Sequence, residues 1–385
     1  MRSSSGVHYV GLDHLRGLAA FLVFEWHFIH LSVPYDNVPA FWPLSILEEG
    51  HCGVALFMTL SGYLFAKLLD GHQVIYKWFF WNRMLRLAPL LIAVIIINGA
   101  INYHDDLVNY LKIITLGLVL PLLPNGQWSI AVEAHFYLLL PLLLFLLRRS
   151  PAYVPLIIFI AIAIRAAVLW RTGETELLAS YTIFGRIDQF VLGMAAFNLR
   201  DLIKGQHVAM FAAVAAYSLF YHAFNAAGGF YLMTSYPSPS PIWIVMPTVD
   251  GLFFCLLIAY YDSTFKFRDV GVSGLLAKIG TCSYSIYLLH FFVVIGMHTM
   301  MAHVVPLTNF YVATAAATLA FCAFAPIAWI SYRYYETFFL RFRRGYISSK
   351  ECDSGDRSSE SGRRRLRTVV GDMRTPARWS APGAD

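Results

Sequence analysis

Charge is what this chain of 385 residues has least of: Asp, Glu, Lys and Arg make up 14% of it, where soluble domains carry about 25%. So thin a polar surface disfavours a disordered chain and a nucleic-acid binder. Cysteine is sparse as well. Cys52, Cys255, Cys282, Cys322 and Cys352 show no C-x-x-C spacing and mostly sit inside apolar runs, which disfavours a disulfide scaffold and reads as small core side chains. Also missing are a metal-ligand spacing, a phosphate-binding glycine loop and a G-x-S-x-G nucleophile elbow. No inverted repeat of the kind many transporters carry is found. Chemistry, if the chain performs any, falls to His, Glu and Arg.

What the chain has instead is apolar surface, at 58% hydrophobic residues against about 45–50% in soluble domains. A spanning helix needs about 20 mainly apolar residues, and ten segments qualify: 15–33, 51–69, 87–104, 127–147, 153–170, 182–199, 207–224, 241–261, 279–303 and 309–332. The fold class expected is therefore an all-α integral membrane protein of about ten transmembrane helices. The first segment is read as a retained helix, because Arg16, Glu25 and His27 interrupt it and no small-residue cleavage site follows.

The net charge of +6 is unevenly placed. From Arg341 to Asp385 there are 11 Lys or Arg against 6 Asp or Glu, and the rest of the chain holds 18 against 17. The expected organisation is thus a transmembrane domain, 1–340, and a basic, disordered cytoplasmic tail, 341–385, whose run Arg363-Arg364-Arg365-Leu366-Arg367 faces anionic lipid and not nucleic acid. With the N-terminus in the cytoplasm, 14 of the 18 remaining cations fall at cytoplasmic ends, and only Lys112, Arg165, Arg171 and Arg186 fall outside. That bias predicts that both termini are cytoplasmic.

An ionisable residue inside a span is costly and so a functional candidate. Arg16 and His27 are eleven residues apart, so they share a helix face within about 20° and lie about 16 Å apart along its axis. Arg83 and Arg86 share a face at i, i+3 and suit a phosphate clamp. Glu133 lies inside the fourth segment and needs a partner there. His27 at similar depth is the natural one, with Glu25 and His135 as rivals. Gly53, Ser61 and Gly62 favour close helix approach. Arg186 and Asp188 suit an acceptor contact or a mutual pair, and His290 stands in mid-span.

Taken in order, these residues form a pattern that resembles the membrane-bound acyltransferase-3 family over about residues 9–345. The motifs are Leu12-Asp13-x-Leu15-Arg16-Gly17-Leu18-Ala19 with His27, Gly53 to Gly62, Arg83 and Arg86 before Pro89, Trp128 to Glu133, Arg186 to Gly193, and Ser283 to His290. Two departures are Ala134-His135 after Glu133 and Thr337-Phe338 after Glu336. The resemblance implies a bacterial inner-membrane enzyme that moves an acyl group, commonly acetyl, from cytoplasmic acyl-CoA to a hydroxyl of a surface glycan, a nodulation factor or a macrolide. No bound cofactor or metal is implied, and acyl-CoA, a glycan acceptor and membrane lipid are the expected partners. His27 is then the general base with Glu133 orienting it, Arg16, Arg83 and Arg86 hold the donor, and Trp128, Arg186, Tyr284 and His290 contact the acceptor or support the site. The rival class is a transporter or flippase of a glycan precursor, which would want a charged path through repeated halves.

Overall fold

The computed structural model describes residues 8–103, 106–119, 123, 126–232 and 235–349. Each of the ten apolar segments becomes one long helix: α1 Val10–Ile29, α2 Cys52–Leu69, α3 Tyr76–Asn102, α4 Trp128–Arg149, α5 Tyr153–Thr172, α6 Ile183–Ile203, α7 His207–Ala226, α8 Met246–Thr264, α9 Ser283–Ala302 and α10 Phe310–Ser331. The largest shift of a boundary is in α3, which begins at Tyr76 instead of near Leu87. Its extra turns are rich in aromatics, so Arg83 and Arg86 sit in a helix and not in a loop.

Among the described residues, seven helices are long and apolar enough to cross a membrane: α2, α3, α4, α5, α7, α9 and α10 with its continuation to Leu340. The other three match them in length but carry charge: Asp13, Arg16 and Glu25 in α1; Arg186, Asp188, Arg200 and Asp201 in α6; Asp250 and Asp262 in α8. Burial explains how they keep it. In α1, 14 of the 20 residues are buried, whereas α5 buries only Ala161 and Arg165. A helix walled in by protein can set polar groups against partners, and one facing lipid cannot.

Three apolar clusters make the core. One joins α1, α2, α6, α7 and α8 around Trp26, Tyr63 and Phe254. A second joins α2, α3, α4, α6 and α9, with Val23 of α1, around Phe65, Phe79 and Phe136. The third packs α1 against α9 and α10 through Phe24, Phe28 and Phe324. Because α1 contributes to all three, Arg16 and His27 ride on a helix walled in by protein. Cys52, Cys255 and Cys282 are buried as expected, but Cys322 is exposed on α10; Cys352 lies outside the described residues.

Close approach of α2 and α6 depends on glycine. A Cβ built on Gly62 would lie 2.0 Å from the Phe190 carbonyl oxygen, and one on Gly193 would lie 2.0 Å from that of Thr59. Gly62→Ala is therefore expected to push the two helices apart and to cost about 1–3 kcal/mol, the usual range for overpacking. Thermal unfolding in detergent measures this, and an unchanged midpoint would remove the argument.

The described residues up to Ser348 form one compact unit. The chain after α10 runs through a widened turn at Tyr332–Glu336 and a short helix, Thr337–Leu340. It then lies along the start of α3: the Ile75 N–H donates to the Tyr346 carbonyl at 2.9 Å, and the strands β1, His72–Val74, and β2, Ile347–Ser349, pair. Residues 341–348, assigned to the tail from sequence, thus pack with the helices. The run Arg363 to Arg367 lies outside the described residues.

Candidate active site

Six of the ten long helices surround a cavity. Arg16 of α1, Ser61 of α2, Arg83 and Arg86 of α3, Ser129, Glu133 and Tyr137 of α4, Phe190 of α6 and Ser283, Tyr284 and Tyr287 of α9 all line it. The three arginines expected to act together do converge, although they are separated by up to 70 positions in the chain.

Local structure holds each one. Arg16 donates to Asp13 at 2.7 Å, one turn earlier in α1, and His8 pairs with the other oxygen of Asp13 at 2.8 Å. The Arg83 guanidinium lies 5.2, 5.5 and 5.8 Å from the ring centres of Phe65, Phe79 and Tyr137, a cation–π setting that fixes it while its Nε has no hydrogen-bond partner. Pro89 interrupts the hydrogen bonding of α3. Nearby, the Leu87 carbonyl accepts the Tyr284 hydroxyl at 2.6 Å and the Pro89 carbonyl accepts that of Tyr335 at 3.1 Å. Tyr284 is thus a wall residue whose hydroxyl ties α9 to α3.

Glu133 faces the arginine cavity, which corrects the pairing expected with His27. Its Oε1 accepts the hydroxyl of Tyr137, one turn along the same helix, and lies 3.5 Å from the Ser61 hydroxyl. The reason is helical spacing: an i, i+4 neighbour meets the carboxylate without distortion.

His27 is not a wall residue of that cavity. Its Nδ1 lies 2.7 Å from the Val23 carbonyl. A carbonyl can only accept, so Nδ1 carries the ring proton and Nε2 keeps its lone pair. His290 is arranged in the same way, with Nδ1 at 2.6 Å from the Tyr287 carbonyl and Nε2 buried without a hydrogen-bond partner. The two rings are 4.9 Å apart and share Phe291 as a neighbour, at 4.6 and 4.3 Å. Sequence reasoning named both histidines but not their pairing.

Tyr287 links the two regions. It lines the cavity, and its ring is 5.9 Å from that of His290. Its hydroxyl donates to the Gly126 carbonyl at 2.6 Å and receives the Ser129 hydroxyl at 2.6 Å. Neither Tyr287 nor Tyr137 stands out in the sequence by charge, though the first lies inside the Ser283 to His290 run and the second one turn after Glu133.

Arg186 and Trp128 form a separate pair, the guanidinium 5.3 Å from the indole ring. Arg186 donates through Nε to the Ser180 carbonyl at 2.7 Å. It does not pair with Asp188, which is claimed by Arg165 at 2.8 Å and by the Thr248 hydroxyl at 2.5 Å.

Residues 9–331 match the family described as "Acyltransferase domain", of the acyltransferase-3 group. A putative membrane-bound transacylase, BcsY, of Komagataeibacter xylinus is 29% identical over 313 residues, covering 72% of this chain and 71% of that one. The O-acetyltransferase OatA of Staphylococcus aureus is 24% identical over 377 residues, covering 85% of this chain and 57% of OatA. No solved structure matches. With a family match over residues 9–331 and a helical body with seven helices long and apolar enough to cross a membrane among the described residues, the chain belongs to the acyltransferase-3 family and is a membrane O-acyltransferase.

Proposed function

We propose that this enzyme takes an acyl group, acetyl by analogy with OatA, from acyl-CoA at the cytoplasmic face of the bacterial inner membrane and transfers it to a sugar hydroxyl of an envelope or secreted glycan. The observation that carries this reading is that Tyr287 is a neighbour of both the arginine cavity and the histidine pair. Arg16, Arg83 and Arg86 gather at a cavity whose Tyr287 wall adjoins His290 and, beside it, His27. Phosphates suit the arginines, and an extended thioester arm suits the apolar wall of Phe57, Met58 and Leu60 in the same cavity. On this reading all ten long helices cross the bilayer, with both termini in the cytoplasm.

The reaction then runs on His27. Its Nε2 takes the proton of the acceptor hydroxyl, and the oxygen attacks the thioester carbonyl. As the tetrahedral centre collapses, the C–S bond breaks, and the thiolate takes the proton back from His27. His290 holds the acceptor oxygen or the neighbouring imidazole in register. Glu133, with Tyr137, sets the charge beside the donor arginines, and Trp128 and Arg186 lie where a glycan reaches the site.

Mass spectrometry of envelope glycans and secreted products from cells with and without the gene tests this. Deletion is expected to leave the polymer or product in place but without O-acyl groups, and restoring the gene should return them. If the acceptor itself disappears from the cell surface, a flippase explains the result and the acyl-transfer reading fails. Arg86→Gln in the same cells is expected to cut acylation about tenfold or more, as loss of a charged hydrogen bond does.

A further inference from the structure

We infer that Arg343, in the segment after the last spanning helix, is a fourth phosphate-binding residue of the donor site. The inference rests on the reading of Arg16, Arg83 and Arg86 as the place where acyl-CoA binds.

Position is the first observation. The segment is held against α3 by several bonds and not left loose. The Asn82 side chain, 1% exposed, pairs with the backbone of Arg344 in both directions: its amide nitrogen donates to the Arg344 carbonyl at 2.7 Å, and its amide oxygen accepts the Arg344 N–H at 2.9 Å. Next to this pair, the Trp81 indole N–H donates to the Phe342 carbonyl at 3.2 Å. The Arg344 guanidinium stacks 4.5 Å from the Trp78 ring, and the Tyr346 ring, fully buried, meets Phe79 at 5.6 Å. This double amide pair sets Arg343 beside the turn of α3 that carries Arg83 and Arg86.

One donor of the guanidinium is also left without a partner. The Nε atoms of Arg343 and Arg83 are both buried with no hydrogen-bond partner. Burial and the neighbouring cations of Arg86 and Arg83 push Arg343 down to about 10. Like charges brought together around unmet donors are costly, and an anion arriving between them relieves the cost.

Charge balance points the same way. Three carboxylates face the arginines: Asp13 on Arg16, Glu133 beside Arg16 and Arg86, and Glu336 beside Arg86 and Arg343. Set against Arg16, Arg83 and Arg86 alone, they cancel the cluster. Arg343 leaves it positive, which a polyanionic donor with a diphosphate and a ribose phosphate requires.

The test measures coenzyme A binding to the full-length protein in detergent, by calorimetry, alongside transfer kinetics. Arg343→Gln is expected to weaken coenzyme A about tenfold, the loss of one charged hydrogen bond, and to raise the donor KM alike while kcat and the acceptor KM hold. Asn82→Ala, which frees the segment, should give the same defect, and Arg343→Lys should recover part of the affinity. Arg344→Gln, beside it but stacked on Trp78, should bind as the parent does. If the parent and Arg343→Gln bind coenzyme A equally, the role of Arg343 is overturned and the donor site stands. If the parent protein does not bind coenzyme A at all, the donor reading falls and this inference with it. An Arg343→Gln defect that appears in kcat alone, or that Arg343→Lys does not relieve, assigns the residue to folding and overturns the proposal.

Discussion

His27→Ala is expected to reduce acyl transfer by a factor of about 10² to 10⁴, the range a positioned general base supplies. The fall should be in kcat, with coenzyme A binding intact, because His27 lies beyond the cavity where the arginines meet. The Val23 carbonyl makes the prediction sharper. It fixes the proton on Nδ1 and leaves the lone pair on Nε2, so on the proposed mechanism His27→Gln should fare little better than alanine: an amide nitrogen has no basic lone pair. His290→Ala should cost less, since its ring stands beside the proposed base and does not replace it. Variants that insert and purify normally yet retain the parental rate would remove His27 from the chemistry.

Arg165→Met is expected to destabilise the folded protein by about 3–5 kcal/mol, the range for removing one partner of a buried ion pair. Arg165 and Asp188 are both fully buried, on α5 and α6, and the guanidinium also reaches the Gly185 carbonyl at 2.7 Å and the Thr248 hydroxyl of α8 at 2.8 Å. One side chain thus ties three helices, and α5 buries little else. Without it Asp188 keeps only neutral donors in a dry setting. The double variant Arg165→Met, Asp188→Asn removes both charges and should recover most of the loss, because most of the penalty is the stranded charge. Melting in detergent decides: a single variant as stable as the parent, or a double variant no better than the single, contradicts the account.

The ten helices were legible because long apolar runs carry a strong signal and a bilayer allows few other structures. The boundaries of α3 were not, since its first turns mix aromatics with Lys77, Asn82 and the two arginines. Arg16 and His27 were legible as members of one helix face. Where each points was not: Arg16 ends in the cavity and His27 ends at His290, on a helix more than 250 positions later in the chain. Glu133 was misjudged for a similar reason. Its depth suggested His27, but depth along a helix leaves the direction around it open, and Tyr137 takes the carboxylate. Two of the four cations that broke the charge bias, Arg165 and Arg186, prove to be spent on partners inside the protein, so they are no exception to a rule about loops. Nothing in the composition of residues 341–348 separated them from the basic run beyond, because what binds them to α3 is mostly backbone.

Sided transfer tests the central claim most directly. Radiolabelled acetyl-CoA, which does not cross a sealed bilayer, is supplied to inside-out and to right-side-out vesicles from cells that make the protein. Label is expected to pass into envelope glycan in the inside-out vesicles, to be absent from right-side-out ones and to vanish with His27→Ala. Label that appears equally from both faces, or none above vesicles lacking the protein, would contradict a cytoplasmic donor handed to a buried histidine.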